Sequence, residues 1–237
     1  MKDNPTVACG PKPVTGRRPS PTARFRILFV FTGNRCRSPF AELFGRRLVQ
    51  QRLGGQAARF DIGSAGVQAE VGHGLDQQTR RQLRKWGFGE DALDAFSTRQ
   101  IDEQMVADAD LVLTMTAPQR SIVLDEVPQA LARTFVLREL ARFGPVLDLA
   151  TLPSDPMLRA RAIVARGGTA RARVPARNPT DDDIDDPIGR LSRTHRMVAR
   201  TVGTAVGTIV DMLVGQSKQP ASYPAADGWC ASGQGPP

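Results

Sequence analysis

Apolar residues in this chain fall into short continuous runs separated by helically spaced ones. Phe25-Arg26-Ile27-Leu28-Phe29-Val30 is a run of the length and composition of a buried strand. Asp110-Leu111-Val112-Leu113-Thr114-Met115 is a second, apolar enough to be covered on both faces. Phe60-Asp61-Ile62-Gly63-Ser64, running into Ala65-Gly66, and Thr134-Phe135-Val136-Leu137 complete four predicted strands. Between them the period changes. Phe40, Leu43, Phe44 and Leu48 share one face of a helix opened by Ser38-Pro39, with Ser38 suited to the N-cap and Pro39 to the first helical position. Leu75, Thr79, Leu83 and Trp86 predict a helix over about 76–87, with Trp86 in the core, and Pro118 starts another. Val198, Val202, Ala205, Val206, Ile209 and Leu213 form the apolar face of a last helix over about 192–214.

Strands that alternate with helices call for a parallel sheet covered on both faces, an α/β architecture. Right-handed crossovers then bring the loop after the first strand to the carboxyl edge, where such sheets bind ligands. Residues 1–23 and 216–237 are rich in Pro, Gly and Ser and read as disordered tails around a domain at 24–215. Residues 144–180 break the alternation. With Arg159, Arg161, Arg166, Arg171, Arg173 and Arg177 they read as a mobile Arg-rich insertion holding at most one short helix, next to the acidic run Asp181-Asp182-Asp183-Ile184-Asp185-Asp186.

The loop after the first strand carries the candidate chemistry. Phe31-Thr32-Gly33-Asn34-Arg35-Cys36-Arg37-Ser38-Pro39 joins a strand to a helix N-terminus. Loop amides and a helix N-terminus together suit a dianion, and Arg37 can clamp two of its oxygens. Thr32, Gly33, Asn34, Arg35, Cys36, Arg37 and Ser38 are the candidate phosphate-binding residues; Asn34 and Ser38 can hold the loop's shape by hydrogen bonds. The spacing from Phe31 to Arg37 is that of a C-x5-R loop, with Phe at the position of the thiol.

F-T-G-N-R-C-R-S-P-F-A-E resembles the low-molecular-weight protein tyrosine phosphatase signature, C-x-G-N-x-C-R-S-P-x-A-E. Ser64-Ala65-Gly66-Val67, Ser97-Thr98-Arg99-Gln100-Ile101 and Ala109-Asp110-Leu111-Val112-Leu113-Thr114-Met115 are similar to further elements of that family. The resemblance implies a flavodoxin-like three-layer sandwich with a four-stranded parallel sheet. It implies Arg37 as the clamp and Asp186, in Asp186-Pro187, as the acid that protonates the leaving oxygen. Ile188-Gly189 stands where the family often has aromatic residues that line a phosphotyrosine slot. The family's nucleophile is a low-pKa Cys at the first loop position; Phe31 has no lone pair for attack. Cys36 matches the family's second loop Cys.

Composition alters this picture little. The chain has 237 residues and a formal net charge of +8. The positive charge is mostly Arg and is not interleaved with aromatics, so it reads as a solvated surface rather than a nucleic-acid platform. No run approaches a membrane span and no apolar leader is seen, so a cytoplasmic protein with no membrane partner is expected. Cys9, Cys36 and Cys230 form neither a disulfide framework nor a metal spacing; no metal and no cofactor are expected. His73 and His195 are assigned to the surface.

Three functions stay open. The first is a phosphatase-family domain disarmed by Phe31 that binds a phosphate-like anion or a phosphorylated protein. The second is an active phosphomonoesterase with a displaced nucleophile such as Cys36. The third is arsenate reductase-like chemistry. Two placements of Phe31 follow: the ring turns into the core and leaves the cradle free, or it fills the space meant for the anion.

Overall fold

The computed structural model describes residues 24–215 apart from 177 and 179. The tails at 1–23 and 216–237, with Cys9 and Cys230, lie outside the described residues, as does Arg177. In chain order the elements are β1 (Phe25–Phe31), α1 (Arg37–Leu53), β2 (Phe60–Gly66), α2 (Gln77–Lys85), α3 (Glu90–Asp94), α4 (Glu103–Asp108) and β3 (Leu111–Thr114). Then come α5 (Ala117–Glu126), β4 (Thr134–Val136), α6 (Leu137–Arg142), α7 (Pro156–Arg173) and α8 (Ser192–Val214). The four strands form one parallel sheet in the order β2-β1-β3-β4. This is the flavodoxin-like arrangement the sequence implied.

Residue parity along β1 decides which face each side chain serves. Phe25, Ile27, Phe29 and Phe31 enter the larger core with α1, α6, α7 and α8. Leu28 and Val30 enter a smaller core with Val106 of α4 and Val123 of α5. Phe31 therefore belongs by register to a buried face, and only 1% of it is exposed.

Residues 144–180 differ from the expected mobile insertion. They contain α7, an 18-residue helix. Met157, Ala160, Ile163, Gly167 and Ala170 recur at helical spacing and are buried. Three of these five, Ala160, Gly167 and Ala170, are small residues, which carry little hydrophobic signal but let a helix approach closely. Gly167 lies directly against the Phe135 ring: an added Cβ would come within 2.5 Å of it. Two of the arginines reach into the domain. Arg171 bonds Glu139 at 2.5 Å, and Arg159 donates to the Met212 carbonyl at 2.7 Å. Asp155 caps the helix by accepting from the amides of Met157 and Leu158.

Two further expectations are corrected. α1 begins at Arg37, with Cys36 at the N-cap, so Ser38 sits in the first turn and does not cap it. α8 is long and apolar enough by length and composition to cross a membrane. Its Val, Ile, Leu, Met and Ala residues raise its hydropathy, and the Gly and Thr residues between them keep it from forming an obvious run. In this fold its apolar side is buried against α1, α6 and α7, and Arg193, Arg196 and Arg200 remain exposed.

Gly167→Ala is expected to destabilise the domain by about 1–3 kcal/mol, the usual cost of overpacking. Urea unfolding monitored by circular dichroism measures it; an unchanged midpoint would contradict this placement of α7.

Candidate active site

The loop between β1 and α1 is tied down from outside. The carbonyls of Phe31 and Thr32 accept from the amides of Val67 and Gln68, at 2.8 and 2.9 Å. The carbonyls of Arg35 and Cys36 accept from the amides of Asp76 and Phe40, at 2.9 and 3.2 Å. In a trans peptide the following N–H points the opposite way. The amides of Thr32, Gly33, Cys36 and Arg37 are thereby turned away from these partners. Gly66, beside the loop on β2, permits this closeness: a Cβ there would come within 2.4 Å of the Thr32 carbonyl oxygen and 2.9 Å of the Asn34 nitrogen.

Asn34 holds the loop's shape. It is fully buried and takes φ of 50°, a left-handed conformation that Asn tolerates better than most residues. Its Nδ2 donates to Ser38 Oγ at 3.0 Å and to Ser64 Oγ at 2.8 Å, and its Oδ1 accepts from the Arg99 amide at 2.9 Å. Ser64 donates in turn to the buried Glu42 carboxylate at 2.5 Å. Glu42 is paired with Arg46 at 2.7 Å and Arg99 at 3.3 Å. Sequence reasoning assigned shape-holding roles to Asn34 and Ser38 but missed Glu42, Ser64 and Arg99 as their support. All three lie within quoted motif segments. Gln119, which donates to Thr32 Oγ1 at 3.1 Å, carries no such signal.

At the centre of the loop the expected clamp has met a different partner. The Arg37 guanidinium lies over the Phe31 ring, its carbon 3.6 Å from the ring centroid. Its Nη1 donates to the Ile184 carbonyl oxygen, and its Nη2 pairs with Asp186 Oδ2 at 3.2 Å. Only 3% of Arg37 is exposed, and burial lowers its pKa to about 10, an effect partly offset by Asp186. The group remains a cation at neutral pH. Its flat face is covered by an aromatic ring and its fork is occupied by protein oxygens.

The acidic segment is anchored in position. The Ile184 amide donates to the Met115 carbonyl at 3.0 Å, and Asp183 Oδ1 accepts from the Ala117 amide at 2.7 Å. Asp182 pairs with Arg142 at 2.6 Å. These contacts bring Asp186 to Arg37 across most of the domain's sequence. Asp186 is half-exposed and accepts from the Ile188 amide at 3.1 Å.

Such a strand, loop and helix, with a buried Arg at the helix start and a late Asp-Pro segment over it, match what is known from other proteins. The family model for low molecular weight phosphotyrosine protein phosphatase matches residues 26–144. The chain belongs to this family. A protein-arginine-phosphatase of Geobacillus stearothermophilus is 31% identical over 115 residues, 48% of this chain and 70% of that protein. A putative low molecular weight protein-tyrosine-phosphatase of Klebsiella pneumoniae is 33% identical over 130 residues, 55% of this chain and 78% of that protein. Among solved structures, the YwlE arginine phosphatase from Geobacillus stearothermophilus is similar at a TM-score of 0.55 and 24% identity, over 79% of this chain and 91% of that one. The tyrosine phosphatase Wzb from Escherichia coli K30, in complex with phosphate, gives 0.52 and 22%, over 79% and 97%. At these identities the likeness of the structures concerns the fold.

The remaining phosphatase-family residues separate into two groups. Arg35 is exposed, and Thr32 and Gly33 are partly so. Cys36 is buried, and its thiol lies 2.7 Å from Thr79 Oγ1 on α2. Burial pushes this thiol up to about 12, and Arg37 and the Thr79 hydrogen bond lower it only in part. His73 is exposed as expected, whereas His195 is buried beside Cys36, with 3% exposed. The surface assignment of His195 failed because its partners lie on other segments. His195, Val198 and Val202 continue one buried stripe of α8.

Asn34→Ala is expected to cost about 2–4 kcal/mol, since it unpairs Ser38, Ser64 and the Arg99 amide and leaves Ala in a left-handed conformation. Urea denaturation checks it; a loss below about 1 kcal/mol would contradict the role of Asn34. Alkylation of Cys36 in protein lacking Cys9 and Cys230 should be slower than that of a free thiol at pH 8 by on the order of a hundredfold. A rate near that of free cysteine would contradict the burial.

Proposed function

We propose that this chain is a catalytically disarmed member of the phosphatase family, its anion cradle closed from within by Phe31. The observation that carries the reading is the stack of Arg37 on the Phe31 ring. Hydrolysis by this family's route needs a thiolate in line with the phosphorus–oxygen bond, a cradle for the dianion and an acid for the leaving group. The acid candidate Asp186 and the clamp Arg37 are present, but they hold each other. The attacking position has only carbon and hydrogen.

A displaced nucleophile finds less support. The Cys36 thiol faces Thr79 on α2, and a misplacement of even an ångström is costly in an in-line reaction. Arsenate reduction of the kind that uses several cysteines is weaker still, since Cys36 is the only cysteine among the described residues. The listeners to such a protein would be those of its relatives, whose names point to phosphorylated protein side chains. Arg37 must leave the Phe31 ring and Asp186 before it could clamp a phosphoryl group. With the ring in place, the protein contributes a surface rather than a reaction.

The test compares full-length wild type with Phe31→Cys on p-nitrophenyl phosphate. Wild type should show no turnover above buffer. Phe31→Cys should gain at least about a hundredfold, because the missing covalent step is restored, and lose that gain on Arg37→Ala. Wild-type turnover that disappears in Arg37→Ala would overturn the proposal. Its disappearance in Cys36→Ser as well would establish the displaced nucleophile.

A further inference from the structure

Cys36, Asp76 and His195 come from the loop, the N-cap of α2 and the first turns of α8, and each offers a ligand atom within 4.8 Å of the others. His195 Nδ1 lies 3.8 Å from Asp76 Oδ2. That nitrogen is buried and has no hydrogen-bond partner. Cys36, His195 and Thr79 line a cavity of about 10 Å³, room for one water-sized species. Gln82 Nε2 and Arg37 Nε, also buried without a partner, belong to residues on the same wall. A buried ring nitrogen with no partner is costly and calls for one.

We propose that Cys36, Asp76 and His195 form a binding site for a transition-metal dication of the zinc class. Sulfur, imidazole nitrogen and carboxylate oxygen are the donor set that zinc takes, usually in tetrahedral geometry. Donor atoms around tetrahedral zinc lie roughly 3.3–3.7 Å apart, as follows from bonds of about 2.0–2.3 Å. The His195–Asp76 distance is already near that range, and the widest spacing closes by about 1 Å. Binding exchanges the thiol proton for the metal, and the proton leaves to solvent. The thiolate and the carboxylate then neutralise the dication, while the charge of Arg37 is matched by Asp186. Thr79 Oγ1, 2.7 Å from Cys36 Sγ and 3.3 Å from Asp76 Oδ2, would orient both ligands from the second layer. Such a metal would staple the loop, α2 and α8 together behind the closed cradle. The site does not depend on whether Phe31 blocks catalysis.

The experiment uses full-length protein carrying Cys9→Ser and Cys230→Ser, so that Cys36 is its one thiol. It is freed of metal and titrated with Co²⁺, then with Zn²⁺ against a chromophoric chelator. One equivalent should bind. The cobalt form should show thiolate-to-metal charge-transfer absorption, and the melting temperature should rise with metal. His195→Gln and Cys36→Ser should each weaken binding by more than about a hundredfold, since changes behind the ligands alone cost roughly 10–100-fold. Absence of the charge-transfer band, or affinity unaltered in a folded His195→Gln, would overturn the proposal. The band is read on protein that keeps Cys36, so the result stands even if a ligand variant fails to fold.

Discussion

The stack of the Arg37 guanidinium on the Phe31 ring governs what the rest of this site can do. A buried guanidinium must be compensated, because an uncompensated charge in the interior costs several kcal/mol. A phosphatase of this family would compensate it with the substrate's own dianion. Here the compensation is internal: an aromatic face, a backbone carbonyl from Ile184 and the carboxylate of Asp186. A desolvated cation–π contact is worth about 2 kcal/mol, comparable to a charged hydrogen bond. An incoming anion would have to outcompete all three partners rather than fill an empty cradle. On the proposed reading Phe31, which stands where the family signature has Cys, does two things. It removes the electron pair that attacks, and it supplies a surface for the cation.

The shape of the loop does not depend on that first residue. Asn34, Ser38, Ser64, Glu42 and Arg99 form a polar network that passes behind the loop, and Gly66 leaves the room it needs. None of these contacts uses the side chain at position 31. The backbone geometry of the loop is therefore independent of the side chain at its first position. Parity along β1 adds a second cause. Position 31 continues the face of Phe25, Ile27 and Phe29, so a large apolar side chain there finds a ready core.

Much of this was legible in the sequence because it is local. The four strands, the last helix and the loop with Arg37 follow from apolar runs and residue types close together in the chain. The Asp-Pro segment is the exception: only a family resemblance could bring Asp186 to Arg37, since the two meet through a tie between Ile184 and Met115. What stayed hidden depends on small or distant residues. α7 is hard to see because only Met157 and Ile163 of its buried stripe are large; Ala160, Gly167 and Ala170 carry little hydrophobic signal, and the contribution of Gly167 is close approach to Phe135. His195 was assigned to the surface because Cys36, Asp76 and α8 converge only in three dimensions. Which of two placements Phe31 takes was equally undecided, since ring orientation depends on where the buried cation settles.

Anion binding tests the central claim most directly. Orthovanadate is titrated calorimetrically into wild type and into Phe31→Ala, both full length. The closed cradle predicts no measurable heat of binding to wild type and a saturable site in Phe31→Ala that is lost on Arg37→Ala. Tight one-to-one binding of vanadate to wild type, dependent on Arg37, would contradict it.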